Sequence, residues 1–340
     1  MIPRPETVTR LGVAAHFFHT LPLERSLALV GELEERGYDT AWTGEVSAGE
    51  AFTPMALIAA HTRRLRVATG VVPVQMRTPV LLGLTAATLG RLAPGRVALG
   101  IGLSSPVVVE QWNGVPFHRS LDQLREAVQV MRAVLSGERV NVEGRFYRVR
   151  NFRLAGPRPE GVKIYLAALG PRALELAGEI ADGVLLNWLG PETVPTSLRH
   201  LGAGAARAKR TLDGFEIAAF VRTCVTDELA PARQWLAREI TGYSTVDAYA
   251  AFFRASGFAG EVDAIGAAWQ AGDRAGAVRQ VSERFLDAVG VVGPEDFARA
   301  RIAEFVRAGL TMPVVVPFSP DGAGASDPMP GLLRTIRTFP

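Results

Sequence analysis

Arg96–Phe117, RVALGIGLSSPVVVEQWNGVPF, holds the densest set of residues able to act on a ligand. Val97-Ala98-Leu99 reads as a buried strand. Gly100, Gly102, Ser104 and Ser105 read as a loop of small residues, and Glu110, Trp112 and Asn113 add an acid, an indole and an amide. A strand opening into small residues lets backbone approach a ligand closely; the plainer alternative is a tight strand-to-helix connection that binds nothing. A second signal is Gly170-Pro171. Proline in a first helical turn leaves neighbouring amides free to face an anion, and the helix dipole adds partial positive charge; the alternative is an ordinary helix start. His16 and His19 are near in sequence but lack a third ligand, so no metal site is expected. HxxxH, GxSxG and P-loop patterns are missing, which leaves hydrolytic and metal mechanisms little support.

The elements that must position these residues alternate. Apolar, strand-like runs fall at residues 11–17, 40–45, 66–74, 97–101, 163–169, 183–188, 216–226 and 312–318. Between most of them lie helical patterns. Pro22 opens one with Leu23, Leu27, Val30 and Leu33 on a side, and Thr53-Pro54 and Thr78-Pro79 start two more. Ser120 and Gln123 form a capping box before Leu121, Leu124, Val128, Met131 and Leu135, a stripe that predicts core packing. The rhythm breaks twice, at a hairpin near 138–160 and at an aromatic-rich helical insertion near 242–290 with no strand. Eight strand–helix units predict a (β/α)8 TIM barrel with insertions, in a single domain spanning 1–340. In such a barrel the working face lies at the C-terminal ends of the strands, here His16 and Phe17, Trp42 and Glu45, Gly70-Val71, the 102–106 loop, 168–171, Asn187-Trp188, and Pro317-Phe318. That mouth is apolar and aromatic with few acids, which suits a flat aromatic cofactor.

The 340 residues are 48% hydrophobic and 21% charged, with a net charge of +3. The arginines are scattered among acids, so no nucleic-acid partner is expected. The one cysteine, Cys224, excludes an intrachain disulfide and reads as a buried, inert thiol. No apolar run is long enough to span a bilayer and the N-terminus has no signal-like core, so no membrane association and a cytoplasmic location are expected.

Three blocks, RVATGVVPVQMRTPVLLGLTAATLGRLAPGRVALGIGLSSPVVVEQWNGVPF (66–117), IYLAALGPRALELAGEIADGVL (164–185) and GPEDFARARIAEFVRAGLTMPVVVPF (293–318), together with the WTGE turn, resemble the bacterial luciferase-like oxidoreductases. The match is closest to the branch that looks like methylenetetrahydromethanopterin reductase and uses the deazaflavin coenzyme F420. The resemblance implies a non-proline cis peptide at Gly70-Val71 propping the deazaflavin ring. It places the cofactor phosphate at the backbone of Ala168, Leu169 and Gly170, and Glu45 near the ring and substrate. Ser104 and Ser105 would lie in the loop that meets cofactor or substrate. Trp42, Pro171 and Asn187, at neighbouring strand ends, count as further candidate cofactor contacts. Three positions depart from the branch: Ser104-Ser105-Pro106 stands where SGP is common, Trp112-Asn113-Gly114 where WHG is, and Ser47 where an aromatic often follows the acid. In other deazaflavin enzymes an acid sits at about Ser105, whose hydroxyl here suggests hydrogen bonding instead.

The function so implied is a reductase passing a hydride from reduced deazaflavin to an electron-poor C=C or C=N bond. The acceptor would be a small molecule or a peptide natural product, including a dehydroamino-acid alkene. Glu45 is the first candidate acid, expected to be raised in pKa by an apolar surround, with Ser105 and His16 behind it. The alternatives are a two-component monooxygenase using FMN and a flavin-binding barrel without turnover. A homodimer is the expected assembly.

Overall fold

In the computed structural model, which describes residues 10–118, 121–320 and 327–340, eight parallel strands close into a barrel. They are β1 (Gly12–Ala14), β2 (Thr40–Thr43), β3 (Arg66–Thr69), β4 (Val97–Gly102), β5 (Lys163–Ala167), β6 (Gly183–Asn187), β7 (Glu216–Val225) and β8 (Met312–Pro317). Each pairs with the next, and β8 pairs with β1 in the register Gly12↔Val314 and Val13↔Val315, which closes the ring.

The period of two along each strand sorts the side chains. Val13, Ala41, Val67, Leu99, Ile164 and Val184 face outward into the core beneath the surrounding helices. Ala14, Trp42, Ala68, Ala98, Tyr165 and Phe220 face the barrel axis. The interior packs because large and small residues share a layer: Trp42 stacks on Tyr165 (5.7 Å, 26°) and meets Phe220 edge-on (6.2 Å, 82°), while alanines make the room. The N-terminal end of the barrel is closed by charge. Glu216 accepts from Lys163 Nζ at 2.6 Å and Arg66 Nη1 at 3.1 Å, with Arg10 Nη1 at 3.4 Å.

Several boundaries differ from the sequence expectation for local reasons. The first helix, Leu23–Glu35, buries Ser26, Leu29, Val30 and Leu33, while Leu23 at its start is exposed. The helix after β2 begins at Phe52, one residue before Thr53, and the Glu50 carboxylate, rather than Thr53, accepts from the Phe52 and Thr53 amides. The expected capping box at Ser120 lies outside the described residues. The hairpin is present as Val140–Glu143 against Arg148–Phe152. Cys224 is fully buried.

The helical insertion holds a core of its own. Helices Leu229–Ser244, Asp247–Phe253, Ala259–Gln270 and Glu283–Val289 pack Phe253, Phe258 and Phe285 against Trp188, Cys224 and Phe318 of the barrel. It ends in a strand the sequence reading missed, Gly290–Gly293, which pairs with the upper half of β7 from Arg222↔Gly290 to Val225↔Gly293. Its GVVG has two glycines in four residues, too short and glycine-rich to register as an apolar run. Among the described residues no helix is long and apolar enough to cross a membrane.

Candidate active site

Above the packed interior layer, at the inward positions of the alternation, β1 to β7 each present a residue at the C-terminal mouth. On β2 to β5 these are small: Gly44, Gly70, Gly102 and Ala167. On β1, β6 and β7 they are His16, Asn187 and Arg222. The mouth is therefore a bare shelf on one side and a polar wall on the other.

The shelf is made by close backbone approach. The peptide between Gly70 and Val71 is cis, as the resemblance implied, and β3 resumes beyond it at Val72–Pro73 to pair with Ile101 and Gly102. A Cβ on Gly70 would lie 2.6 Å from Phe220 Cζ and 3.2 Å from Trp42 Cε3, and one on Gly102 would lie 3.1 Å from Ala167 Cβ. A Cβ on Gly44 would meet only ordinary contacts, 3.5 Å from His16 Nε2 and 3.6 Å from the Gly70 carbonyl, so no clash calls for glycine there. Trp42 corrects an expectation. It is 0% exposed and sits beneath the shelf, so it supports Gly70 and has no surface to offer a cofactor.

Beside the shelf, Ala168 is buried, Leu169 half-buried, and Gly170 and Pro171 exposed. Gly170 caps the helix Pro171–Ile180 without a side-chain cap, and the space where its Cβ would point is empty. The first amides of a helix lack intrahelical partners, so this open start suits a phosphate. Arg172, exposed and among the described residues without an ion pair or side-chain hydrogen bond, adds a cation there that the sequence alone does not single out.

Glu45 is a second correction. Its side chain is only 6% exposed, yet its surround is not apolar: Arg77 Nη2 donates to Oε2 at 2.8 Å, Arg77 Nε lies 3.3 and 3.2 Å from the two oxygens, and the Ala51 amide donates at 3.4 Å. Arg77 also reaches Glu50 at 3.3 Å and lies over the Phe52 ring. A guanidinium gripping both oxygens makes the carboxylate an acceptor. A cavity of about 250 Å³ opens here between Glu45, Arg77, Met76, Trp112 and Asn113. Trp112 is 53% exposed on its edge, Asn113 Nδ2 donates to the Val108 carbonyl, and Glu110 accepts from the Phe117 amide. The last two are spent on the turn that carries them. Ser105 is spent likewise: its Oγ accepts from the Val108 amide at 3.4 Å, starting the π-helix Val107–Trp112. Ser104, half-buried, makes no side-chain hydrogen bond among the described residues.

On the wall, His16 meets the Phe220 ring edge-on at 5.9 Å. Desolvation first, then the charges of Arg222 and His19, push its imidazole down to about 4. It is neutral at physiological pH, a hydrogen-bonding group and not an imidazolium acid. Asn187 Oδ1 accepts from Arg222 Nη1, and its Nδ2 donates to Tyr249 Oη at 3.1 Å. Arg222 stacks on Trp188, its Cζ 3.7 Å from the ring centroid. The sequence names Asn187, and Tyr243 and Tyr249 only as aromatics of the insertion; Arg222 goes unnoticed because only the β6–β7 register brings it beside Asn187. Gln75 was also missed. Just past the cis bond, both atoms of its side-chain amide are buried without a partner, the state that the paired donor and acceptor of a heterocycle edge would relieve.

The chain and its fold have counterparts among known proteins. A Mycobacterium tuberculosis protein named as a coenzyme F420-dependent oxidoreductase is 31% identical over 334 residues, covering 91% of this chain and 95% of its own. The 5,10-methylenetetrahydromethanopterin reductase of Archaeoglobus fulgidus is 28% identical, covering 85% and 88%. The solved F420-dependent tetrahydromethanopterin reductase of Methanopyrus kandleri superposes with a TM-score of 0.77 at 22% identity, covering 97% of this chain and 98% of its own, a likeness of fold. The luciferase-like monooxygenase family model matches residues 8–312, and the chain belongs to that family.

Proposed function

We propose that the protein is a coenzyme F420-dependent oxidoreductase that reduces an electron-poor C=C or C=N bond. The observation that carries this is the glycine shelf at the cis Gly70–Val71 bond, facing a wall of hydrogen-bonding side chains across the barrel mouth. Support for the cofactor comes from two relatives: the mycobacterial protein is named for F420, and the archaeal one is a methylenetetrahydromethanopterin reductase.

The residues present fit the group. Gly44, Gly70 and Gly102 let the backbone beneath a flat ring system pack closely, the orphaned Gln75 amide offers one donor and one acceptor, and Gly170 with Arg172 offers a phosphate position. When bound, the reduced deazaflavin supplies a hydride. The chain's own part is orientation and exclusion of water. Phe220 and Val71 floor the mouth, while Tyr243 and Tyr249 from the insertion wall its acceptor side. His16, neutral and half-buried, holds a hydrogen bond to an acceptor without bringing a second positive charge beside Arg222. Glu45 enters as the anchor of Arg77 and shapes the rim.

The test is anaerobic mixing with reduced F420 and a panel of alkene, imine and carbonyl acceptors, followed by the deazaflavin absorbance. Recovery of the oxidised spectrum with an activated alkene or imine supports the reading. Turnover only with reduced FMN and oxygen defeats it.

A further inference from the structure

β7 is ten residues long and changes neighbour along one edge. Glu216 to Phe220 pair with β6, whereas Arg222 to Val225 pair with Gly290–Gly293. The change falls just where β6 ends at Asn187 and Trp188 turns away with a φ of 56°. Arg222 stands in that fork, two residues above Phe220 and on the same inward face.

Its surroundings are unusual for a cation that is 5% exposed. Nη1 donates to Asn187, Tyr243 is a second side-chain hydrogen-bonding neighbour with its ring 5.6 Å away, and Trp188 lies beneath the guanidinium. Among the described residues no carboxylate forms an ion pair with it; Glu239 lies close enough only to be influenced by its charge, and burial raises the Glu239 carboxyl. At the opposite end of the barrel the inward cation Arg66 is matched by two acids, Asp39 at 3.2 Å and Glu216 at 3.1 Å. A buried guanidinium without a counter-charge is costly, and stability alone would favour an apolar residue of similar volume. The same unbalanced charge bears on His16 across the mouth and helps to keep it neutral.

We propose that Arg222 receives a carboxylate of the hydride acceptor, so that the substrates are unsaturated acids, with the reducible bond conjugated to or near a free carboxylate. This rests on the reductase reading above. A guanidinium carries five N–H donors; Asn187 takes one, Tyr243 is a second hydrogen-bonding partner and Trp188 covers one face, so donors remain for a flat, two-oxygen partner. A tetrahedral phosphate already has a suitable position at Gly170 and Arg172, after β5 and two strands round the barrel from Arg222. Drawing charge from the carboxylate also leaves a conjugated C=C poorer in electrons, which is what a hydride acceptor requires.

The probe is crotonate, with methyl crotonate as its uncharged counterpart, titrated against the full-length protein by tryptophan fluorescence, for which Trp188 is the reporter beside the guanidinium. Crotonate binds the wild type in preference to the ester, Arg222→Met weakens crotonate by about tenfold or more, and Arg222→Lys weakens it less. Arg222→Met leaves ester binding and F420 binding unchanged and melts at or above the wild-type temperature. Equal binding of acid and ester to the wild type overturns the proposal. So does an Arg222→Met protein that loses F420 affinity or melts lower while still preferring crotonate, since Arg222 would then serve the cofactor or the framework. If the wild type binds no F420, the reductase reading fails by itself, while the crotonate comparison still decides whether Arg222 holds a carboxylate.

Discussion

Adding one methyl group at two neighbouring shelf positions should separate packing from binding. In Gly70→Ala the new Cβ would stand 2.6 Å from Phe220 Cζ, 3.1 Å from Leu185 Cδ2 and 3.2 Å from Trp42 Cε3. Phe220 cannot simply step aside, because it is wedged edge-on against Trp42 within the interior layer. The cost is that of overpacking a filled core, about 1–3 kcal/mol, and at this chain length that lowers Tm by a few degrees at most. In Gly44→Ala the Cβ meets His16 Nε2 and the Gly70 carbonyl only at 3.5 and 3.6 Å, so Tm should hold within about 1 °C. The Gly44 methyl lies at the mouth beside His16 and should weaken F420 by about tenfold, worth about 1.4 kcal/mol, whereas the Gly70 methyl points into the interior layer and reaches F420 only by displacing the shelf. Differential scanning fluorimetry reads the first effect and a deazaflavin absorbance titration the second. Full F420 affinity in Gly44→Ala would refute the assignment of the shelf, whatever Gly70→Ala does.

Three more outcomes follow from the geometry. Glu216→Gln should cost about 3 kcal/mol, the low end for breaking a buried ion cluster because Lys163 and Arg10 can turn to water; chemical denaturation should show it, with F420 affinity unchanged at the other end of the barrel. His16 is lowered from 6.5 to about 4 on folding, so the unfolded chain binds the extra proton between those values. Stability from this group is whole above pH 6.5 and is lost as pH falls towards 4, by about 3 kcal/mol at most; a Tm profile of His16→Asn should be flatter than wild type over that window, and parallel profiles would contradict it. Glu45→Gln should loosen Arg77, costing about 1–3 kcal/mol, yet leave the rate of hydride transfer within about threefold; a drop of a hundredfold in single-turnover rate would restore Glu45 as the proton donor.

The barrel was legible because it is written locally. Apolar runs such as Val97-Ala98-Leu99, each closed by glycine or a proline-started helix, fix strand and helix in turn, and eight such units leave few closed arrangements. The cis bond at Gly70–Val71 was legible only through family resemblance, since nothing in the dipeptide itself calls for it. What failed depends on partners far away in the chain. Glu45 looks like a lone acid until Arg77, thirty-two residues on, closes over it. Trp42 looks like a strand-end aromatic until the register with Tyr165 and Phe220 shows it buried in the layer below. Arg222 sits in an ordinary β-branched run, and only the fork between β6 and Gly290–Gly293, a strand too short to notice, gives it a place at the mouth.

The central claim is that the glycine shelf is built for a deazaflavin. Equilibrium titration of the full-length protein with F420 and with FMN, by absorbance and fluorescence, tests it most directly. The account predicts saturable F420 binding with a micromolar Kd and FMN binding weaker by about tenfold or more. FMN binding tighter than F420, or no binding of F420 at these concentrations, would contradict it.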